Sequence, residues 1–267
     1  MFRILSLVVV VLLAFGDFSA YALEPIVLYD NFTALTIDDN KWKDTETIRQ
    51  IKAGKLFLSR RTIGFTGSDV GQVSDGLPLG FINPADVTAI KATVTVTQFD
   101  ITECTANQAI TRTRARLHGE FFNTGTPTAG SAINDVFAQI ALERRSDSTE
   151  PPGVFNVKAL LVVCLNNDCT SSTIIDNNVK NMGTVTVGTP ITLWMRWDAG
   201  NNRILFKRDA EAWVAIPYKV QDAALPGRPA KGVSVINNVD NCVSEPTSAF
   251  IAATFDNVSV NSSAVQP

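Results

Sequence analysis

Short runs of alternating apolar and polar residues recur along most of the chain, and they constrain its fold more than any other feature. Helical periodicity is almost absent, and Gly, Pro, Asn and Asp separate the runs at intervals of about 8–12 residues. This pattern predicts an all-β fold, a two-sheet antiparallel jelly-roll β-sandwich. The predicted strands cover residues 26–32, 54–61, 90–102, 112–123, 135–145, 154–164, 191–198, 202–209, 212–218, 232–237 and 249–260.

The first 22 residues have the pattern of a secretory signal peptide. Arg3 supplies a basic start, residues 4–15 are apolar, and the sequence "AYA" at residues 20–22 fits the small-x-small cleavage rule. The apolar run is shorter than the roughly 20 residues of a membrane-spanning helix. We therefore predict cleavage after residue 22 and a single sandwich domain over residues 23–267. The mature chain is expected to be secreted, extracellular or periplasmic, without a membrane span, and the alternative is an uncleaved N-terminal anchor.

The charge of the chain argues against one class of partner. Loss of the signal peptide removes one basic and one acidic residue, Arg3 and Asp17, so the formal net charge stays at −3. Nucleic-acid phosphates are bound by clustered Lys and Arg on a basic surface. We therefore predict no nucleic-acid partner.

Four cysteines in an exported chain indicate disulfides, and three pairings are open to them. The segment "VVCLNNDCTSS" resembles two strands joined by a four-residue turn, which would bring Cys164 and Cys169 together. That pairing leaves Cys104 with Cys242. A zinc site is the competing interpretation, but the chain has one His and lacks two C-x₂-C knuckles.

Four sequence words follow one another in an order that is typical of one superfamily. They are "YDNFTALTIDDNKW" at residues 29–42, "GKLFLS" at 54–59, "ITLWMRWDAGNNRILFKRD" at 191–209 and "FDNVSV" at 255–260. In this order the chain resembles the bacterial concanavalin A-like lectin/glucanase (laminin-G-like) jelly rolls. The resemblance implies the sandwich fold and a glycan or surface polysaccharide as partner. It does not choose an activity, because the superfamily holds lectins, hydrolases, lyases and inert modules.

Strand parity places polar and aromatic side chains opposite the apolar ones in three predicted strands. If these strands are neighbours in one sheet, the shared face resembles the concave glycan-binding face of the superfamily. Aromatic planes stack on sugar rings there, and polar side chains bind hydroxyl groups. The alternative is a solvated face with cross-strand ion pairs. The candidate ligand-binding residues are Arg116, His118, Glu120, Gln139, Glu143, Trp194 and Arg196.

The acid motif of the related glucanases is incomplete in this chain. Those enzymes place a nucleophile and an acid/base on one strand in the pattern E-x-D-x-x-E, and this chain has "QFDITE" at residues 98–103. Asp100 and Glu103 match two of the acids, but Gln98 stands at the nucleophile position and cannot attack an anomeric carbon. His118 could be a general base or an ion-paired surface residue. No catalytic residue is therefore assigned, and the sequence favours a protein that is not an enzyme.

Two similar segments, "LYDNFT" at residues 28–33 and "TFDNVSV" at residues 254–260, could hold a metal ion between them. Because first and last strands of such jelly rolls commonly pair, the resemblance places Asp30 near Asp256. Two close carboxylates repel and favour a cation, and related carbohydrate-binding jelly rolls hold a structural Ca²⁺ near their termini. A structural Ca²⁺ at these residues is thus the one cofactor considered. The alternative is that each Asp accepts backbone N–H bonds at a strand bend.

Three functional hypotheses follow. The leading one is a secreted, non-catalytic jelly-roll domain that binds a glycan or another surface ligand. The second is a glycoside hydrolase or polysaccharide lyase of the same superfamily, and the third is a structural component of a cell-surface or extracellular assembly.

Overall fold

The computed structural model of the protein describes residues 47–175 and 179–264. The predicted signal peptide, the predicted strand at residues 26–32 and Asp30 lie outside the described residues, so these predictions remain predictions. Within the described ranges no helix is long and apolar enough to cross a membrane.

Fourteen strands are present in the described part of the chain, together with three short 3₁₀ turns. Numbered in chain order, the strands are β1 (Thr47–Lys52), β2 (Lys55–Ile63), β3 (Gln72–Gly80), β4 (Ala89–Ile101), β5 (Arg112–Asn123), β6 (Asp135–Arg145), β7 (Val154–Cys164), β8 (Ser172–Ile174), β9 (Lys180–Thr186), β10 (Ile191–Asp198), β11 (Arg203–Arg208), β12 (Val214–Pro217), β13 (Lys231–Asp240) and β14 (Ser248–Val260).

The strands form two seven-stranded sheets. Sheet A has the order β1-β2-β14-β4-β10-β11-β12, and sheet B has the order β3-β13-β5-β6-β7-β8, with β9 also paired to β7. Every pairing is antiparallel. The predicted two-sheet antiparallel β-sandwich is therefore confirmed.

The core lies between the sheets because each strand turns alternate apolar side chains inward. In β4 the buried members are Ile90, Ala92, Val94 and Val96. Facing residues of sheet B complete the core, and the ring of Phe155 meets Phe99 edge-on at 5.0 Å between centroids. Other fully buried side chains include Leu117, Ile140, Leu142, Phe206 and Phe255.

One local feature of β5 differs from strand parity. The register between β5 and β6 shifts between Glu120 and Phe122, which is a β-bulge. As a result Phe121 and Phe122 both enter the core, where Phe122 packs on Trp197 and Tyr218. Without the bulge, simple alternation would place Phe122 on the outward face with His118 and Glu120.

Both predicted disulfides are confirmed. Cys104 follows β4 in sheet A and is bonded to Cys242, which follows β13 in sheet B, so this bond joins the two sheets. Cys164 at the end of β7 is bonded to Cys169 in the turn that leads to β8. All four sulfurs are thus used, and none is free to be a thiolate ligand for zinc.

Candidate ligand-binding faces

The structure brings five of the seven candidate residues together and separates the other two. Arg116, His118 and Glu120 lie on β5, and Gln139 and Glu143 lie on the neighbouring strand β6. In the register of the pair, Gln139 is directly opposite His118, and Glu143 is directly opposite Arg114. These side chains point away from the core, because the alternate residues of both strands fill it.

Trp194 and Arg196 lie on the other side of the molecule. Their strand, β10, belongs to sheet A, between β4 and β11. Leu193 and Met195 point into the core, so Trp194 and Arg196 point outward from sheet A. The condition that the three strands are neighbours in one sheet is therefore not met, because β10 pairs with β4 and β11 of sheet A rather than with β5 or β6.

The outward face of sheet B is named here the arginine face. It carries three arginines at alternate positions of β5, a cluster that sequence analysis only partly included among its candidates. On β6, Glu143 stands opposite Arg114, while an amide and an aromatic ring stand opposite His118 and Glu120. The strands β7 and β13 add further polar side chains. Its members are Arg112, Arg114, Arg116, His118, Glu120, Phe137, Gln139, Glu143, Lys158, Ser234 and Asn238.

Neutral partners hold two of the arginines. Arg116 donates from Nε to Ser234 Oγ at 2.9 Å and from Nη1 to Gln139 Oε1 at 2.7 Å. Arg114 donates from Nη2 to Asn238 Oδ1 at 2.5 Å. The buried Nε of Arg114 has no hydrogen-bond partner in the described part of the chain. The guanidinium groups are therefore oriented by amide and hydroxyl oxygens rather than neutralised by carboxylates.

Burial and like charge disfavour the protonated form of these arginines. Burial lowers the pKa of Arg114 well below its usual value, and the charges of Arg112 and Arg116 lower it further. Burial lowers the pKa of Arg116 to about 10, against an opposing contribution from Glu120. A bound anion would relieve both effects, because opposite charge favours the protonated form.

Glu143 is the best-satisfied acid of the face. Lys158 on β7 donates to Glu143 Oε1 at 2.7 Å. Burial acts to raise the pKa of Glu143, but the Lys158 hydrogen bond and the charge of Arg114 outweigh it, so the pKa lies below its usual value. This carboxylate therefore stays ionised and offsets part of the positive charge.

His118 is a buried imidazole with both ring nitrogens free of hydrogen bonds to the described residues. It is 8% exposed, and its ring stacks on Phe137 with centroids 5.7 Å apart. The guanidinium of Arg116 lies 5.2 Å from the centroid of the same Phe137 ring. Burial lowers the pKa of His118 well below its usual value, as do the charges of Arg116 and Arg228, so the ring is neutral at pH 7.

Glu120 is contacted by Arg228, which lies in a loop that the buried carboxylate of Asp135 holds in place. Asp135 accepts backbone N–H bonds from Gly227 at 2.8 Å and from Arg228 at 2.9 Å. Arg228 Nη2 then donates to Glu120 Oε1 at 3.3 Å and to the Asp168 carbonyl at 3.0 Å. Glu120 Oε2 has no partner within the described ranges, and burial raises the pKa of Glu120 to about 7.

The candidate metal residue Asp256 lies in β14 of sheet A. Its Oδ1 accepts the Asn257 backbone N–H at 2.8 Å, and its Oδ2 is 3.8 Å from Lys55 Nζ. These contacts fit the alternative of a strand-bend carboxylate, while the Ca²⁺ site itself stays a prediction because Asp30 is outside the described residues. Asp69 lies near the sulfurs of Cys104 and Cys242, but those sulfurs are bonded to each other.

The partial acid motif lies away from the arginine face. Gln98 and Asp100 are on β4 of sheet A, where they pair with Ala252 and Phe250 of β14. Both side chains are exposed. The motif and the His118 cluster therefore belong to different sheets and do not form one site.

No protein-family model matches the chain, and no curated protein matches it. Solved structures similar to it include carbohydrate-binding module CBM66 from Bacillus subtilis (11% identity, TM-score 0.31, covering 80% of this chain and 90% of that one). They also include the potassium-bound carbohydrate recognition domain of Emp46p (12%, 0.36, 86% and 95%) and the Bacillus licheniformis β-glucanase (11%, 0.32, 76% and 79%).

Proposed function

We propose that the protein is a secreted, non-catalytic binding domain that holds an acidic glycan on the arginine face. The observation that carries the proposal is the row of Arg112, Arg114 and Arg116, whose charges are close together and poorly neutralised. In the described part of this face, two carboxylates, Glu120 and Glu143, stand against these arginines and Lys158. A carboxylate or sulfate of a glycan would form charge-assisted hydrogen bonds with the guanidinium groups.

The other members of the face suit a sugar better than a small inorganic anion. The half-buried ring of Phe137 offers an apolar plane, on which a pyranose ring could stack. Gln139, Ser234 and Asn238 hold the guanidinium groups of Arg114 and Arg116 in fixed orientations, so the donors are already arranged for an anionic group of a glycan. Export is part of the proposal and rests on the predicted signal peptide, and the two disulfides are compatible with it.

Titration calorimetry with oligogalacturonate, oligoalginate and neutral cello-oligosaccharides would test the proposal. We expect binding of at least one acidic series and a loss of roughly tenfold or more for Arg116→Gln, since a charged hydrogen bond contributes about 1.5–3 kcal/mol. The matched control is Arg203→Gln on sheet A, which removes an arginine paired with Asp198 on the other side of the sandwich. Equal affinity for neutral and acidic oligosaccharides, or no effect of Arg116→Gln, would contradict the proposal.

A polysaccharide lyase is the second candidate function, and His118 favours it. A lyase removes the proton next to a uronate carboxylate and breaks the glycosidic bond by β-elimination. Neutral His118 could accept that proton, Arg116 could neutralise the carboxylate, and Glu120, whose pKa is about 7, could give a proton to the departing oxygen. The ultraviolet absorbance of the unsaturated product, followed over a panel of polyuronates with His118→Asn as control, decides between binding and lysis.

A further inference from the structure

The outward face of sheet A carries a second cluster of charge and aromatic rings, on the opposite side of the sandwich from the arginine face. It is named here the lysine–aromatic face. Four lysines and three aromatic side chains define it, and they come from β1, β2, β4, β10, β11 and the residue before β12. They are Lys52, Lys55, Phe57, Lys91, Trp194, Lys207 and Trp213.

The centre of this face is a row of three side chains across three strands. Lys91 of β4 and Lys207 of β11 are the direct cross-strand neighbours of Trp194. Their Nζ atoms lie 4.4 Å and 5.9 Å from the Trp194 ring, and Trp213 meets that ring edge-on at 6.1 Å. The indole Nε1 of Trp194 is buried and has no hydrogen-bond acceptor among the described residues.

Two grooves run along this face. The first has a volume of about 780 Å³ and is lined by residues that include Lys91, Thr93, Trp194 and Lys207. The second, of about 450 Å³, is lined by residues that include Lys52, Phe57, Thr95 and Thr254. Thr93 and Thr95 are successive outward residues of β4, so the two grooves are adjacent along one strand.

The charge of the face is positive and only partly balanced. Asp256 lies 3.8 Å from Lys55, and Asp209 Oδ1 accepts the Thr192 backbone N–H at 2.8 Å. Within residues 47–175 and 179–264 no carboxylate lies within ion-pair distance of Lys91 or Lys207. Within the described part of the chain, the ammonium groups of Lys91 and Lys207 therefore stand beside the aromatic rings without a carboxylate partner.

We propose that the lysine–aromatic face is a second binding site, independent of the arginine face, for a linear polysaccharide that carries carboxylate or sulfate groups. A sugar ring stacks at Trp194 and Trp213, and the anionic groups of the neighbouring sugars pair with Lys91 and Lys207. The adjacent grooves extend the site over several sugar units, with the hydroxyls of Thr93 and Thr95 along its floor. Single-stranded nucleic acid shares the need for aromatic and cationic groups, but the net charge of −3 for the whole chain disfavours it.

Tryptophan fluorescence titration of the full chain with a heparin dodecasaccharide, a sulfated uronate polymer, tests this proposal. We expect saturable quenching that weakens as salt rises, and a loss of affinity of at least tenfold for Trp194→Ala and for Lys91→Ala/Lys207→Ala. Trp213→Ala, which alters an exposed ring (43%), is a second variant that is not expected to disturb folding. Lys219→Ala, in an exposed position after β12, is the matched control and should leave the affinity unchanged.

Three outcomes would overturn the proposal. They are unchanged affinity in Trp194→Ala, equal quenching by neutral dextran of the same length, and tighter binding of oligothymidylate than of heparin. Arg116→Gln separates the two sites, because it weakens binding at the arginine face only. If it abolishes the heparin quenching while Trp194→Ala does not, heparin binds the arginine face and the second site does not exist.

Discussion

The two outward faces of the sandwich use charge in different ways. On the arginine face, Arg114, His118, Glu120 and Glu143 are buried, and their pKa values are displaced by burial and by neighbouring charges. On the lysine–aromatic face, the charged groups stand at the surface beside aromatic rings. Changes on the first face should therefore alter stability as well as binding, whereas changes on the second should alter binding with little effect on stability.

The largest effect on stability should come from removing the disulfide that joins the two sheets. Replacing Cys104 and Cys242 by Ala opens a loop with a sequence separation of 138 residues, which should lower the free energy of unfolding by about 5 kcal/mol. The matched change at Cys164 and Cys169, where the separation is 5 residues, should lower it by about 2 kcal/mol. Urea denaturation of both double variants measures the difference. Equal losses would show that the bond between the sheets does not hold the two faces together.

Two ion pairs have equal N–O distances but differ in burial, so they test how burial changes the contribution of an ion pair to stability. The pairs Lys158–Glu143 on the arginine face and Arg203–Asp198 on sheet A both have N–O distances of 2.7 Å. Glu143→Gln should lower the free energy of unfolding by about 3 kcal/mol, because it leaves buried cations without their carboxylate. Asp198→Asn should cause a much smaller loss, since the pair is partly exposed and screened by solvent. Chemical denaturation at pH 7 gives both values, and similar losses would contradict the distinction.

Glu120 and His118 should give opposite pH dependences of stability. The pKa of Glu120 is raised to about 7, so its contribution to stability is present below its unfolded pKa and is lost as pH rises through 7. The pKa of His118 is lowered, so its contribution is present above its unfolded pKa and is lost as pH falls. In the wild type the two trends oppose each other between pH 5 and 7.

Single variants should separate these trends. In Glu120→Gln, acidification from pH 7 to 5 should lower the free energy of unfolding, because His118 takes up a proton more readily in the unfolded chain than in the folded protein. In His118→Asn, the same acidification should raise it by about 2 kcal/mol, because folded Glu120 holds its proton more tightly than the unfolded chain does. Urea titrations at the two pH values measure both slopes. If the free energy of unfolding changes in the same direction in both variants, Arg116 and Arg228, the charged neighbours of these groups, dominate the pH dependence of stability.

The smallest expected change in the free energy of unfolding is an increase, in a variant of the arginine face. Arg114→Met removes a buried charge that has like charges on both sides, and it should raise the free energy of unfolding by about 1 kcal/mol while weakening acidic-glycan binding. Lys91→Met on the other face should change stability by less than about 0.5 kcal/mol. Thermal and urea denaturation report the change, and calorimetry reports the binding. A loss of stability in Arg114→Met would mean that its hydrogen bond to Asn238 outweighs the repulsion.

The alternation of apolar and polar residues was sufficient to predict the strands that are buried on one face. The bounds of β5, β6, β7 and β10 agree with those predicted, because apolar residues alternate through their full length. The strands β1, β3, β8 and β9 were not predicted. β1 and β8 are exposed throughout, and β3 contains Gly76 and Pro78, so none of these three shows the alternation of a half-buried strand.

The candidate site could be predicted where its residues lie on strands that are consecutive in the chain and paired in the sheet. β5 and β6 are consecutive and paired, so parity alone placed His118 beside Gln139. Strand parity could not decide which sheet holds Trp194, because sheet membership depends on contacts between distant parts of the chain. Arg228 was missed altogether, since it reaches Glu120 from a loop that is positioned by Asp135 and has no strand pattern of its own.

The position of β14 within sheet A has a consequence for the order of folding. This last strand lies between β2 and β4 and pairs with both, so Phe250 stands beside Arg61 and Asp100 at the same time. Sheet A therefore cannot close until nearly all of the chain has been synthesised, and pairings between such distant segments form slowly. Before residues 248–260 are made, β2 and β4 lack the strand that lies between them, so the centre of sheet A is the last part of the sandwich to form.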